Sequence, residues 1–231
     1  MRRHYQNIER IIAVARQLEY LLQNVVFAGG AVTELLITDP VFPAVRPTID
    51  IDVIVEVISL IDYYRLQQRL REIGFRESME DGVICRWKFR EILVDFMPTD
   101  ERILGFSNRW YADAFRNAQN FSVEGLTLKL IRGPYFLGTK LEAFHGRGKN
   151  DYMVSHDMED FIAVLDGRLE IVEEILVSDE KIKNYLVDHC KQLLENDEFL
   201  DALPAHLPPD QASQQRVSII EDRMRLIAEM Q

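Results

Sequence analysis

Apolar residues recur at helical spacing early in the chain, at Ile8, Ile11, Ile12, Ala15, Leu18, Leu21 and Leu22. The pattern predicts an amphipathic helix over residues 4–23. A short continuous apolar run, Val25 to Ala28, follows as a buried strand. Gly29 and Gly30 turn it, and residues 31–37 start a second helix. Residues 38–46 carry two prolines and read as a loop, and residues 49–57 as a second strand. Ser59 is placed to cap a helix that runs to Ile73 and ends at Gly74. Residues 82–90 and 92–97 are two apolar runs close enough to pair as a hairpin about Arg90 and Glu91. Residues 121–131 read as one more strand, weakened by Gly125. After Gly133 and Pro134 every pattern is helical, over residues 134–145, 156–165, 168–177, 179–195 and 212–230. Pro204, Pro208 and Pro209 set off the last of these as an arm.

The order predicts an α+β fold: a mixed β-sheet with flanking helices, then a helical subdomain. The expected division is an α/β core over residues 1–133 and a helical part over 134–231. Charge changes near the same place. Residues 1–150 carry a net +1, whereas residues 151–231 hold seven Lys/Arg against nineteen Asp/Glu, a net −12. The stretch 127–149 is locally basic, with Lys129, Arg132, Lys140, Arg147 and Lys149 against Glu142 alone. An overall charge of −11 makes a poor general binder of nucleic acid, and DNA is not expected as a partner. A local basic patch can still grip a triphosphate or one RNA end; the plainer reading is a solvated surface. No apolar run approaches the roughly 20 residues that span a bilayer, so no membrane partner is expected. The start, Met1 to Gln6, lacks a signal-peptide core. Cys85 and Cys190 lie in unrelated contexts without metal-ligand spacing, which suits two free thiols in a reducing cytoplasm.

The chemistry concentrates in two apolar strands. Asp50 and Asp52 are two residues apart on the second strand and therefore share a face. Paired carboxylates repel unless a cation or a hydrogen-bond network compensates them. A divalent metal is the first reading and a structural network the second. Asp95 adds a third carboxylate from Ile92-Leu-Val-Asp-Phe-Met97. Three such groups suit a two-metal site, one ion activating a hydroxyl and the other holding a triphosphate. The Gly29-Gly30 turn opens a helix whose N-terminus attracts anions. It lacks the Gly-x-Gly-x-x-Gly spacing of dinucleotide sites and the Lys-Ser/Thr of a P-loop.

Gly29-Gly30, Arg46-x-Thr48 and Asp50-Ile-Asp52 together resemble the nucleotidyltransferase superfamily, and within it the abortive-infection toxins of the AbiEii/AbiGii type. Nineteen residues separate Gly30 from Asp50, longer than a minimal polymerase-beta-like pattern and suited to the toxin branch. Lys140 with Ala143, then Arg147, then Asp157 and Asp160, are similar to the family's lysine helix, arginine and Asp-x-x-Asp helix. The loop from Gly146 to Ser155 is longer than the common toxin pattern, and His156 stands where a basic residue is usual. The resemblance covers about residues 25–165.

It implies a nucleotidyltransferase-like fold and transfer of a nucleoside monophosphate from NTP to a hydroxyl acceptor, with release of pyrophosphate. It implies Mg²⁺ or Mn²⁺ on Asp50, Asp52 and Asp95. It places Gly29, Gly30, Arg46, Thr48, Lys140 and Arg147 around the nucleotide, with Lys140 on the β/γ-phosphates and Asp157 or Asp160 ordering the site. Its expected partners are NTP, an acceptor such as RNA (tRNA 3′ ends included) or a protein side chain, and a cognate antitoxin protein. The alternatives are a housekeeping transferase acting on a small molecule such as an aminoglycoside, and a non-catalytic nucleotide-binding module. His145 and His156 add little, and the last helix reads as packing or a dimer arm.

Overall fold

The computed structural model describes residues 6–57, 59–78, 83–148 and 151–231. Expectations for Met1 to Tyr5, Gly82 and Lys149 lie outside the described residues. The chain divides into two compact units. One comprises Met1–Glu34 with Val45–Arg132, and the other Leu35–Ala44 with Gly133–Gln231.

In the first unit, helix α1 (Gln6–Leu18) buries Ile11, Ile12, Val14, Ala15 and Leu18 on one side. A 3₁₀ segment, Glu19–Asn24, replaces the end of the predicted helix, and Glu19 has a positive φ of 48°. That backbone state is foreign to an α-helix of L-residues, so regular winding stops there. Strand β1 (Val25–Ala28) is buried throughout. A 3₁₀ turn, Gly30–Val32, leads into the single-turn helix α2 (Thr33–Leu36). Strand β2 (Asp50–Val55) follows the proline loop. Helix α3 (Leu60–Glu72) begins at Ser59, whose Oγ accepts from the Asp62 N–H at 3.2 Å. It ends before Gly74, which has a φ of 90°.

The sheet is completed by β3 (Arg76–Glu77), β4 (Arg86–Phe89), β5 (Ile92–Pro98), β6 (Gln119–Val123) and β7 (Leu126–Leu130). The short helices α4 (Glu101–Leu104) and α5 (Tyr111–Arg116) lie between β5 and β6. Helices of four and six residues leave too little periodicity to read from sequence. The predicted single strand over 121–131 is two strands: Glu124 and Gly125 both have positive φ, 44° and 78°, and turn the chain back into a hairpin. Two successive positive φ values are what a tight hairpin turn demands.

Sheet order is β3-β4-β5-β2-β1-β7-β6. Strand β2 is therefore the middle of seven, antiparallel to β1 and parallel to β5. This is an α+β arrangement on a mixed sheet. Burial explains the position: Ile51, Val53 and Ile54 are inaccessible to solvent, as are Val94 and Phe96 of β5. Phe75 fills the space beside them, edge-on to Phe96 at 5.7 Å. Ile49, which precedes β2, is 77% exposed, so the strand begins at Asp50 and not one residue earlier.

The second unit is helical: α6 (Gly133–Arg147), α7 (His156–Gly167), α8 (Ile171–Leu176), α9 (Glu180–Leu194), α10 (Asp197–Ala202), α11 (Gln211–Gln214) and α12 (Arg216–Ala228). Phe136, Leu137, Leu141 and Phe144 of α6 and Phe161, Ile162 and Leu165 of α7 form much of its core. Helix α12 packs on α7, α8 and α9, burying Ile220, Met224 and Ile227. Residues 35–44 belong to this unit through polar ties. The N–H groups of Thr38 and Asp39 donate to the Gly167 carbonyl at 3.0 and 2.9 Å. Arg216 bridges Asp39 at 2.6 Å and Asp166 at 2.7 Å.

Candidate functional site

Strand β2 sets Asp50 and Asp52 on one sheet face, as their spacing predicts. Pairing extends the row: Asp52 stands opposite Asp95 on β5, and Asp95 opposite Arg86 on β4. Opposed residues on neighbouring strands present side chains to the same face. The structure thus brings the three predicted carboxylates together with an arginine that sequence reasoning passed over. Arg86 forks Asp95, with Nε to Oδ1 at 2.8 Å and Nη2 to Oδ2 at 2.7 Å. Its Nη2 also donates to Asp50 Oδ2 at 2.6 Å. Only 9% of the Arg86 side chain and 8% of the Asp95 side chain are exposed, against 31% for Asp50. Such a fork is the strong, directional form of an ion pair.

A signal for Arg86 was present in the sequence. A hairpin turning at Arg90 and Glu91 sets Phe89 opposite Ile92 and, three steps on, Arg86 opposite Asp95. A charged residue among Cys85, Trp87 and Phe89 needs a partner, and register alone names it.

The turn after β1 meets Asp52 directly. Ala28 is the β1 residue opposite Asp52. A Cβ placed on Gly29 would fall 1.7 Å from Asp52 Oδ2 and 2.5 Å from its Cγ. Gly29 also has φ 68° and ψ −172°, a region open essentially to glycine alone. The first glycine therefore makes room for a carboxylate against the backbone. The second starts the 3₁₀ turn, where the Val32 N–H donates to the Gly29 carbonyl at 3.3 Å.

Thr48 and Arg46 flank the entry to β2. Asn7 of α1 holds both: its Nδ2 donates to the Arg46 carbonyl at 3.0 Å, and its Oδ1 accepts from the Thr48 N–H at 3.0 Å. The Thr48 hydroxyl donates to the Asp50 carbonyl at 2.9 Å. Arg10, one helical turn on, hydrogen-bonds the carbonyls of Thr48 and Ile49. Burial lowers the Arg10 pKa, and the nearby Asp50 charge acts in the opposite direction. Asn7 and Arg10 belong to the polar edge of an otherwise ordinary amphipathic helix, so no local pattern marked them. Just before β4 the Cys85 thiol is pushed up to about 12, first by burial and then by the charges of Asp95 and Asp52.

Lys140, Arg147, Asp157 and Asp160 assemble within the helical unit. Lys140 is only 6% exposed. Its Nζ lies 2.7 Å from Asp160 Oδ2 and 3.2 Å from Asp157 Oδ1. Arg147 forks Asp157 with Nε and Nη2, both at 2.8 Å. Two cations thus meet two carboxylates three residues apart on one face of α7. Burial opposes ionisation of Asp157, but Arg147 and Lys140 outweigh it and hold its pKa below the usual 3.8. Ser155 caps α7, accepting from the Met158 N–H at 3.3 Å. His156 bonds Glu159 at the surface at 3.1 Å, and His145 lies beside His189 at a ring separation of 5.0 Å.

The donor chemistry of Asp50, Asp52 and Asp95 fits a hard divalent cation, which takes oxygen ligands. Their arrangement fits it only in part. Among the described residues no three His, Cys, Asp or Glu side chains are grouped to hold a metal ion, and Arg86 already compensates Asp95 and Asp50. Among the described residues, no helix is long and apolar enough to cross a membrane.

No protein-family model matches this chain, and no curated protein matches it. Among solved structures it is similar to one described as an antigenic nucleotidyltransferase-like protein from Paracoccidioides brasiliensis. The TM-score is 0.49 and the identity 17%, over 87% of this chain and 93% of that one.

Proposed function

We propose that this chain is a metal-dependent nucleotidyltransferase that moves a nucleoside monophosphate from NTP to a hydroxyl acceptor and releases pyrophosphate. The observation that carries the reading is the close approach of the Gly29 turn to the Asp52 carboxylate, on a central strand that also bears Asp50 and pairs with Asp95. A phosphate-binding turn and an acidic cluster in contact serve a phosphoryl substrate, because each alone would repel or ignore what the other attracts.

The chain's residues divide the work. The backbone of Gly29 and Gly30 receives the phosphates at the start of the helical turn. Asp50 and Asp52 are the residues that would hold Mg²⁺ or Mn²⁺. When bound, the ion polarises phosphate oxygens and acidifies the attacking hydroxyl. Arg86 orients Asp95 and shares Asp50, and Asn7, Thr48 and Arg10 fix the entry to β2. Positioning and preorganised charge supply most of the rate in such a transfer.

The resemblance to AbiEii-type toxins supports RNA or protein as the acceptor, toxin–antitoxin or phage defence as the setting, and an antitoxin as partner. Incubation with each α-labelled NTP, Mg²⁺ or Mn²⁺, total RNA and lysate protein tests this. Label on an RNA or protein band is expected, and label confined to small molecules selects a metabolite acceptor instead. Asp52→Ala should abolish the transfer while leaving the fold intact; normal transfer by that variant rules out the site.

A further inference from the structure

A cavity lies away from the acidic face, at the other end of β2. Its volume is about 290 Å³, at the small end of the roughly 300–1,000 Å³ found for small-molecule sites. Along β2, Asp50 and Val55 are five steps apart, which at roughly 3.3 Å per residue is about 17 Å. The floor is apolar: Val25 and Val55, partners across β1 and β2, are almost fully buried, and Val57 follows them. Helix α3 supplies a wall with Asp62, Arg65, Leu66 and Arg69. Steps of three and four residues place these on one helical face. The charges along the cavity are not equivalent. Asp62 accepts from the Ser59 hydroxyl through Oδ2 at 2.6 Å and from Arg65 through Oδ1 at 3.3 Å, so both its oxygens are engaged and Arg65 is paired. Glu56 and Arg69 line the same cavity, and both are exposed. Among the described residues neither makes an ion pair or a side-chain hydrogen bond, with the other or with any third group.

An anion held by Arg69 alone would face the Glu56 carboxylate, and a cation held by Glu56 alone would face two guanidiniums. A molecule that carries both charges satisfies both groups, and the apolar floor receives its uncharged remainder. We propose that this cavity binds an apolar L-α-amino acid: Arg69 takes the carboxylate, Glu56 takes the ammonium, and the side chain lies on Val25, Val55 and Leu66. A guanidinium matches a carboxylate as a fork. An α-amino acid brings both charges on one carbon, which suits a cavity of this size. The proposal is independent of the nucleotidyltransferase reading, and the failure of one leaves the other standing.

Isothermal titration of the whole chain with L-valine, L-leucine, L-isoleucine, L-methionine and L-phenylalanine in turn tests it. At least one should bind saturably, one molecule per chain. For that amino acid, the matching acid without the amine and the matching amine without the carboxylate should each bind about tenfold or more weakly. Arg69→Gln and Glu56→Gln should each weaken binding about tenfold or more, at an unchanged melting temperature because both side chains are exposed. Absence of saturable binding by all five overturns the proposal. Equal binding of the acid or the amine overturns it too, as does wild-type affinity in either variant. The ligand comparison is made on wild type and decides the matter if a variant does not fold.

Discussion

At the residue scale, two glycines of the same unit show how a local conformation becomes a constraint or remains a preference. Gly125 has a φ of 78°, and nothing lies within 4 Å of where its Cβ would be. Gly125→Ala should therefore cost only the backbone term, about 1 kcal/mol, measured by urea denaturation. Gly29 combines a glycine-only backbone with a collision against Asp52. Gly29→Ala should lose about 1–3 kcal/mol from the backbone alone, with more from the displaced carboxylate, and should lose nucleotide binding by calorimetry. Equal losses for the two variants would mean that the Asp52 contact is unimportant. In sequence Gly29 was visible as a turn residue and Gly125 only as a weak point in a predicted single strand. That one of them accommodates a carboxylate from a strand more than twenty positions away was not, because the contact depends on β1 pairing with β2 in one register.

At the scale of elements, the α6–α7 pair rests on a buried ionic group. Lys140→Ala would leave Asp157 and Asp160 without their shared ammonium, and breaking a buried pair in this way typically costs about 3–5 kcal/mol. A fall in melting temperature is the expected result. The phosphate role that the resemblance gives Lys140 predicts instead a raised KM for NTP at unchanged stability, so the two measurements separate the readings. The acid side follows from Asp157. Its folded pKa is depressed, so its stabilisation is complete above the unfolded value near 3.8 and is lost as pH falls through the lower folded value. Thermal melts from pH 7 to pH 3 should show wild type well above Asp157→Asn at neutral pH, with the gap closing below about pH 4. A gap that widens in acid would contradict the assignment. The spacing of Asp157 and Asp160 marked a helix face. Their common partner lay on another helix, beyond the reach of periodicity.

At the scale of the whole molecule, charge sets what the chain meets. With −11 overall and −12 in residues 151–231, duplex DNA should bind non-specifically no tighter than about 10⁻⁴ M at physiological salt. Fluorescence polarisation with a labelled duplex checks this, and micromolar binding would contradict it. The pattern of apolar and polar residues by itself determined strands and helices in the first half, helices throughout the second, the cap at Ser59 and the shared face of Asp50 and Asp52. Each of these follows from periodicity or local backbone chemistry, which act over a few residues. Tertiary structure alone decided that β2 is the middle strand of seven, that the Gly29 turn lies on Asp52, and that Lys140 is buried between two carboxylates. It also placed Arg86 in the acidic cluster, opposite Asp95, a pairing that sequence reasoning passed over. These depend on which strands and helices become neighbours, and pairing across long sequence separations is settled by burial of the whole core and not by any one segment.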